Sequence, residues 1–133
     1  MEYVVLDTDV ASASLRRRMS PRMKALLAGS TWCASFVTVA ELWQWADVRS
    51  WGRESRDELE DWLAHVVVID SDDDVCRVWG RTAATARLRG RARPTNDSWI
   101  AACCLAKGLP LATRNVKDYA DFAEYDGLRL VIE

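Results

Sequence analysis

The chain has 133 residues, half of them hydrophobic, with 18 basic and 20 acidic side chains and a formal net charge of −2. That length fits one domain over residues 1–133 with an ordinary core. No apolar run reaches the roughly 18 residues that cross a bilayer, and the N-terminus enters a strand pattern with no signal-peptide shape before it, so a cytoplasmic location is expected.

In chain order, Tyr3–Asp7 reads as a buried strand. Val10–Arg18 and Pro21–Leu27 read as short helices, the second with Ser20 as N-cap, Pro21 at its first position and Gly29 just past its end. Thr31–Ser35 is a second strand. Thr38–Val48 is a helix, because Val39, Leu42, Trp43 and Ala46 recur at helical spacing. Asp57–Ala64 is another. Val66–Ile69, a run of strand formers, is a third strand. Asp73–Leu88 is a long helix. Asn96–Lys107 follows, capped by Thr95 or Asn96 and stopped at Gly108 ahead of Pro110. Leu111–Thr113 is a fourth strand, Val116–Ala123 a short helix and Leu128–Ile132 a final strand. No repeat, linker or low-complexity stretch divides the chain. The alternation predicts an α/β fold with a parallel, doubly wound sheet and helices on both faces. Such sheets bind ligands beyond the carboxyl ends of their strands, where the strand order reverses.

Three acids fall where that site would form. Asp7 closes the apolar run Tyr3-Val4-Val5-Leu6, Glu41 lies inside Thr38-Val39-Ala40-Glu41-Leu42, and Asp97 precedes Trp99-Ile100-Ala101-Ala102. A carboxylate set among apolar residues needs a partner, since burying a lone charge costs several kcal/mol. Three carboxylates brought together repel one another, and a divalent cation removes that conflict. Each also has an ordinary reading. Asp7 can cap the next helix, Asp97 can be a first-turn acid favoured by the helix dipole, and Glu41 can sit on a polar helix face. Asp72-Asp73-Asp74 reads as a helix start, and His65, the only histidine, as structural.

The charges are segregated. From Val10 to Ala40 there is no acid, while Arg16, Arg17, Arg18, Arg22 and Lys24 fall there; Arg77 to Arg93 holds six arginines and again no acid. Such stretches are either solvated helix faces or surfaces that contact phosphates. Cys33, Cys76, Cys103 and Cys104 form no metal clamp and read as buried, reduced thiols. Trp43 and Trp45 stand about 200° apart on a helix, so one of them is expected exposed or against another chain.

Leu6-Asp7-Thr8-Asp9-Val10, Thr38-Val39-Ala40-Glu41-Leu42, Asn96-Asp97-Ser98-Trp99-Ile100-Ala101-Ala102 and Thr113-Arg114-Asn115-Val116-Lys117-Asp118-Tyr119 occur in this order. Together they resemble a PIN-domain ribonuclease of the VapC toxin type, over nearly the whole chain. The resemblance implies a five-stranded parallel sheet in the order 3-2-1-4-5. It implies an endoribonuclease that uses Mg²⁺ or Mn²⁺, with a metal-activated water as nucleophile. It places Asp7, Glu41 and Asp97 at the metal. Asn115 stands near the position where many members carry a fourth acid, and Asp118 is the nearest acid to it. Asp9 departs from the small polar residue common at its position. Thr8 and Thr113 are hydroxyls that orient carboxylates, and Asp9 and Asn115 stand with them around the site. Arg16, Arg87, Arg89, Arg91, Arg93 and Arg114 are the expected RNA contacts, the substrate being a folded RNA such as a tRNA or rRNA.

The resemblance also implies a VapB-type antitoxin, a hetero-oligomer with it, and a homodimer. Trp43, Trp45 and Trp51, with the helices around Pro21–Leu27 and Thr38–Trp51, are the expected groove for the antitoxin. Two alternatives stand beside this reading. One is a non-catalytic PIN-like module that holds RNA or protein. The other is a haloacid-dehalogenase-like phosphatase, which Leu6-Asp7-Thr8-Asp9-Val10 also resembles but which leaves Glu41 and Asp97 without a role.

Overall fold

Residues 2–133 are described by a computed structural model. The first strand, β1 (Tyr3–Leu6), sets the plan of the molecule. Val4 and Leu6 point into one apolar cluster, and Val5 points into another on the opposite face. That alternation is the period-two geometry of a strand buried on both sides. The remaining elements follow as α1 (Thr8–Leu15), α2 (Pro21–Leu27), β2 (Thr31–Ser35), α3 (Phe36–Val48), α4 (Arg53–Ala64) and β3 (Val67–Ile69). Then come α5 (Asp73–Leu88), α6 (Thr95–Lys107), β4 (Leu111–Ala112), α7 (Val116–Asp126) and β5 (Leu130–Val131).

The five strands lie in the order β3-β2-β1-β4-β5, and every pairing is parallel. The order reverses between β1 and β4. The cluster on one face takes Met23, Leu27, Leu42 and Leu59 from α2, α3 and α4; the other takes Val75, Ile100, Cys103, Cys104 and Phe122 from α5, α6 and α7. The sheet is therefore wound on both sides, as its sequence pattern requires. Among the described residues no helix is long and apolar enough to cross a membrane.

Local chemistry explains the element ends. Ser20 accepts the Met23 N–H at 3.0 Å, with Pro21 in the first turn of α2. Ser35 accepts the Thr38 N–H at 3.1 Å, so α3 starts at Phe36, two residues before the expected start. Neither Thr95 nor Asn96 caps α6: its N-cap is Pro94, and Ser98 Oγ bonds back to the Pro94 carbonyl at 2.7 Å. Trp43, Trp45 and Trp51 are all half-buried and pack on the α1–α4 cluster, so neither Trp43 nor Trp45 is fully exposed, and the part of each that stays open is what another chain could cover. Arg49 lies 5.0 Å from the Trp45 ring and Arg16 5.5 Å from the Trp51 ring, which covers faces that helix geometry alone leaves open. All four cysteines are free. Cys33, Cys103 and Cys104 are buried, but Cys76 is exposed, because it lies on the solvent side of α5.

Candidate active site

Five acids meet at the switch point. A cavity of about 120 Å³ is bordered by Asp7, Asp9, Glu41, Asp97, Asn115, Asp118 and Tyr119, with Trp45 in its wall. Asp7 directly follows β1 as the N-cap of α1, Asp9 is in the first turn of α1, Glu41 lies on α3, Asp97 is in the first turn of α6, and Asp118 is in the first turn of α7. Among the described residues no lysine, arginine or histidine borders the cavity.

Asp7 is the most constrained of them, at 3 % exposure. It is the N-cap of α1, and its Oδ1 accepts the Val10 N–H at 2.8 Å. Its Oδ2 accepts the Thr113 hydroxyl at 2.5 Å, and Thr113 Oγ1 in turn accepts the Asn115 N–H at 2.9 Å. The capping and site readings of Asp7 are thus compatible. Burial pushes its carboxyl up to about 6, with the Asp9 charge adding to the rise and the Thr113 and Val10 donors opposing it. Burial also raises Asp97, and the charges of Asp118, Glu41 and Asp9 add to that effect. Both shifts say that this cavity holds more negative charge than its surroundings solvate.

Glu41 is positioned by a line of hydroxyls. Thr8 donates to Glu41 Oε1 at 2.7 Å. Its oxygen lies 3.0 Å from that of Thr38, which is 3.3 Å from the Ser35 hydroxyl. With Thr8 donating to the carboxylate, Thr38 donates to Thr8, and Ser35 donates to Thr38. Asn96 makes a long contact with the second Glu41 oxygen at 3.5 Å. The Tyr119 hydroxyl reaches Asp97 Oδ1 at 3.4 Å. Burial holds the Tyr119 phenol protonated far above its ordinary range, so toward Asp97 it acts as a donor only.

The structure thus brings Asp7, Thr8, Asp9, Glu41, Asp97, Thr113, Asn115 and Asp118 together. Asp9 accepts from the Asn115 amide, which joins the two positions where the chain departs from the family pattern. Among the described residues no group of three or more His, Cys, Asp or Glu side chains is placed closely enough to hold a metal ion as the side chains stand. Glu41 is drawn toward Thr8 and Asn96, and Asp9 toward Asn115. The donor set nevertheless suits a hard divalent cation: carboxylate and amide oxygens, no sulfur or imidazole, and two acids raised by their surroundings.

The expected arginines divide. Arg114 is close enough to lower the Asp7 carboxyl. Arg93 is engaged elsewhere: it is held at 2.7 Å by Asp121 and 2.6 Å by Asp126, with its side chain only 5 % exposed. Arg89 bonds Asp121 at 3.3 Å and lies over the Tyr125 ring. Both are spent inside the fold, because the acids of α7 lie beside the loop that follows α5. Arg87 and Arg91 are exposed and do not border the acidic cavity. His65 ends α4, with Nδ1 against the Asp61 carbonyl, and takes no part in the cavity. Ser35, Thr38 and Tyr119 support the site, although Ser35 lies outside the quoted motifs and Thr38 and Tyr119 stand in them with no role assigned. The spacing Ser35, Thr38, Glu41, three residues at each step along one helix face, is the signal that points to the first two.

This geometry can be compared with known proteins. The model of the PIN domain matches residues 4–128. The chain therefore belongs to the PIN-domain family. VapC ribonucleases are among its relatives. Ribonuclease VapC1 of Haemophilus influenzae (strain R2866) is 30% identical over 118 residues, 86% of this chain and 88% of the relative. Ribonuclease VapC5 of Mycobacterium tuberculosis is 35% identical over a shorter span of 65 residues, 49% of this chain and 45% of the relative. Among solved structures, VapBC-1 from nontypeable Haemophilus influenzae superposes with a TM-score of 0.76 at 26% identity, over 99% of this chain and 98% of that one. VapBC2 from Rickettsia felis, bound to a DNA fragment from its promoter, superposes with a TM-score of 0.83 over 98% of both chains. Its 19% identity speaks for the fold alone. The family match leaves the phosphatase resemblance of Leu6–Val10 without support.

Proposed function

We propose that this chain is the toxin of a toxin–antitoxin pair, an endoribonuclease that cuts RNA phosphodiester bonds and depends on Mg²⁺ or Mn²⁺. The observation that carries the reading is the convergence of Asp7, Asp9, Glu41, Asp97 and Asp118, from α1, α3, α6 and α7, on one cavity with no cationic side chain in its wall among the described residues. Five carboxylates so placed are at odds with one another until a cation joins them. The VapC ribonuclease relatives, and the VapBC complexes among the structural neighbours, supply the substrate class and the partner, a VapB-type antitoxin. A homodimer and a hetero-oligomer with that antitoxin belong to the same proposal.

Asp7 and Asp97 are the proposed metal ligands, with Glu41 beside them and Asp118 as the fourth acid. When bound there, the cation supplies neutralisation of phosphate charge and a water of lowered pKa. The chain's own contribution is orientation. The Val10 N–H and the Thr113 hydroxyl fix both oxygens of Asp7. Thr8 fixes Glu41, and Tyr119 offers Asp97 a proton it does not release. Pre-set ligands lower the reorganisation needed when the substrate arrives.

The test is cleavage of total RNA by the purified, partner-free chain. Cleavage with Mg²⁺ or Mn²⁺ that stops in EDTA is the expected result. RNA binding without cleavage at any metal concentration would refute the nuclease and leave the binding module.

A further inference from the structure

The acidic cavity has a neighbour of opposite charge. A second cavity, of about 300 Å³, is bordered by Arg16, Arg18, Arg49 and Arg114 and shares Asp9 and Trp45 with the first. The four guanidinium groups come from three places far apart in sequence. Arg16 is the C-cap of α1, with Arg18 just beyond it. Arg49 is the C-cap of α3. Arg114 lies in the loop between β4 and α7.

Two of these have a simple structural explanation, since a helix C-terminus attracts a cation. That does not account for Arg18 or Arg114, nor for the meeting of all four. Among the described residues, none of the four is in an ion pair, whereas Arg56, Arg89 and Arg93 each have a carboxylate within reach. Arg16 and Arg49 are steadied instead by the faces of Trp51 and Trp45, which hold a cation in place without consuming its charge. Clustered guanidinium groups without partners repel one another, and their planar forks match a phosphate.

We propose that this second cavity is a backbone-phosphate subsite for single-stranded RNA, one or two nucleotides from the phosphate that is cut. The proposal rests on the nuclease reading above. A strand whose scissile phosphate enters the acidic cavity can pass Asp9 and Trp45 in one direction and bring its next phosphates among the four arginines. An acidic protein segment would satisfy the same charges. The wall shared with the acidic cavity favours RNA, because only RNA needs to occupy both cavities in one continuous chain.

The experiment uses a short single-stranded RNA of mixed sequence and the whole chain, in EDTA, with affinity measured against NaCl concentration. Arg18→Ala/Arg49→Ala is compared with Arg22→Ala/Arg81→Ala, which removes the same charge from exposed positions outside the cavity. The cavity pair is expected to weaken binding about tenfold at about 50 mM NaCl and to flatten the salt slope by about 1. The control pair should move neither. Arg18→Lys/Arg49→Lys should recover part of the affinity, which a change in folding would not. In the presence of Mn²⁺ the cavity pair should raise KM with kcat retained, as for a contact made equally before and during the reaction. The subsite is overturned if the two alanine pairs behave alike. It is also overturned if the cavity pair loses only the co-purifying protein partner and keeps its RNA affinity. Salt-dependent RNA binding through these arginines without any metal-supported cleavage would instead reject the nuclease reading, overturn the subsite's relation to a cut phosphate, and leave only RNA binding at the four arginines.

Discussion

Asp7 carries three duties on one carboxylate: it caps α1, accepts from Thr113 and faces the acidic cavity. Its cost to the free protein follows from its titration. The folded-state value near 6 lies above the ordinary 3.8, so between those values the folded chain holds more protons than the unfolded one. Stability contributed at this residue therefore falls as pH rises from about 4 to about 6, and the loss persists above that range. A displacement of this size corresponds to roughly 3 kcal/mol. Asp7→Asn should abolish RNA cleavage, raise the neutral-pH melting temperature in EDTA, and remove that part of the pH dependence. The amide oxygen can still accept from Val10, and Thr113 can turn to accept from the amide. Asp97→Asn should likewise abolish cleavage with the fold retained. Wild-type cleavage by either variant at matched metal concentration would show that these acids are not the ligands. Asn115 and Asp118 are separated by a different argument. The Asn115 amide is engaged by Asp9, whereas Asp118 borders the cavity and raises Asp97 through its charge. Asp118→Ala should weaken metal binding more than Asn115→Ala, and a metal titration showing the reverse order would give the fourth position to Asn115.

At the scale of elements, the site depends on how the loop before α6 is held, since Asp97 lies in the first turn of that helix. Arg93 ties the loop to α7 through Asp121 and Asp126 and stacks on Phe122, 4.1 Å from the ring centroid. Removing one member of a buried ion pair leaves the others without a counter-charge and costs about 3–5 kcal/mol. Arg93→Ala should lower unfolding stability by an amount near the lower end of that range, because Asp121 is partly solvated. Urea denaturation measures it, and a change below about 1 kcal/mol would place the pair among weak surface contacts. This latch also marks what a sequence conceals. The helix–strand alternation, the bounds of α2 and α5 and the acids that border the cavity were legible, because periodicity, caps and motif order are local signals. The roles of Arg89 and Arg93 were not, since Asp121 and Asp126 are about thirty residues away and either face of the basic run could have met solvent. The start of α4 at Arg53 was missed because Arg53–Asp57 carries no apolar period. Helix α7 runs on to Asp126 and stops only at Gly127, whose φ of 75° lies in the left-handed region that ends helices. Thr38 was visible within its motif, but its link to Thr8 crosses from one helix to another.

At the scale of the whole molecule, the placement of charge constrains the chemistry of the cut. RNA is cleaved either by attack of its own 2′-hydroxyl or by attack of water. The first route commonly relies on a paired general base and acid, often two histidines. This chain has one histidine, His65, which is exposed at the end of α4 with its Nδ1 against a backbone carbonyl, and it does not border the acidic cavity. The buried phenol of Tyr119 cannot substitute as a base, since its pKa is driven upward by burial and by Asp97. What the fold does gather is carboxylates, on the carboxyl-end side of a parallel sheet, with a four-arginine cavity against the same wall. That arrangement suits a water nucleophile and in-line loss of the 3′-oxygen. The fragments should therefore carry a 5′-phosphate and a 3′-hydroxyl. End-group analysis decides the point: a ligase that requires a 5′-phosphate should accept the downstream fragment directly. A 2′,3′-cyclic phosphate on the upstream fragment would mean that the 2′-hydroxyl attacked, and the acidic cavity would then have to serve RNA binding rather than water activation.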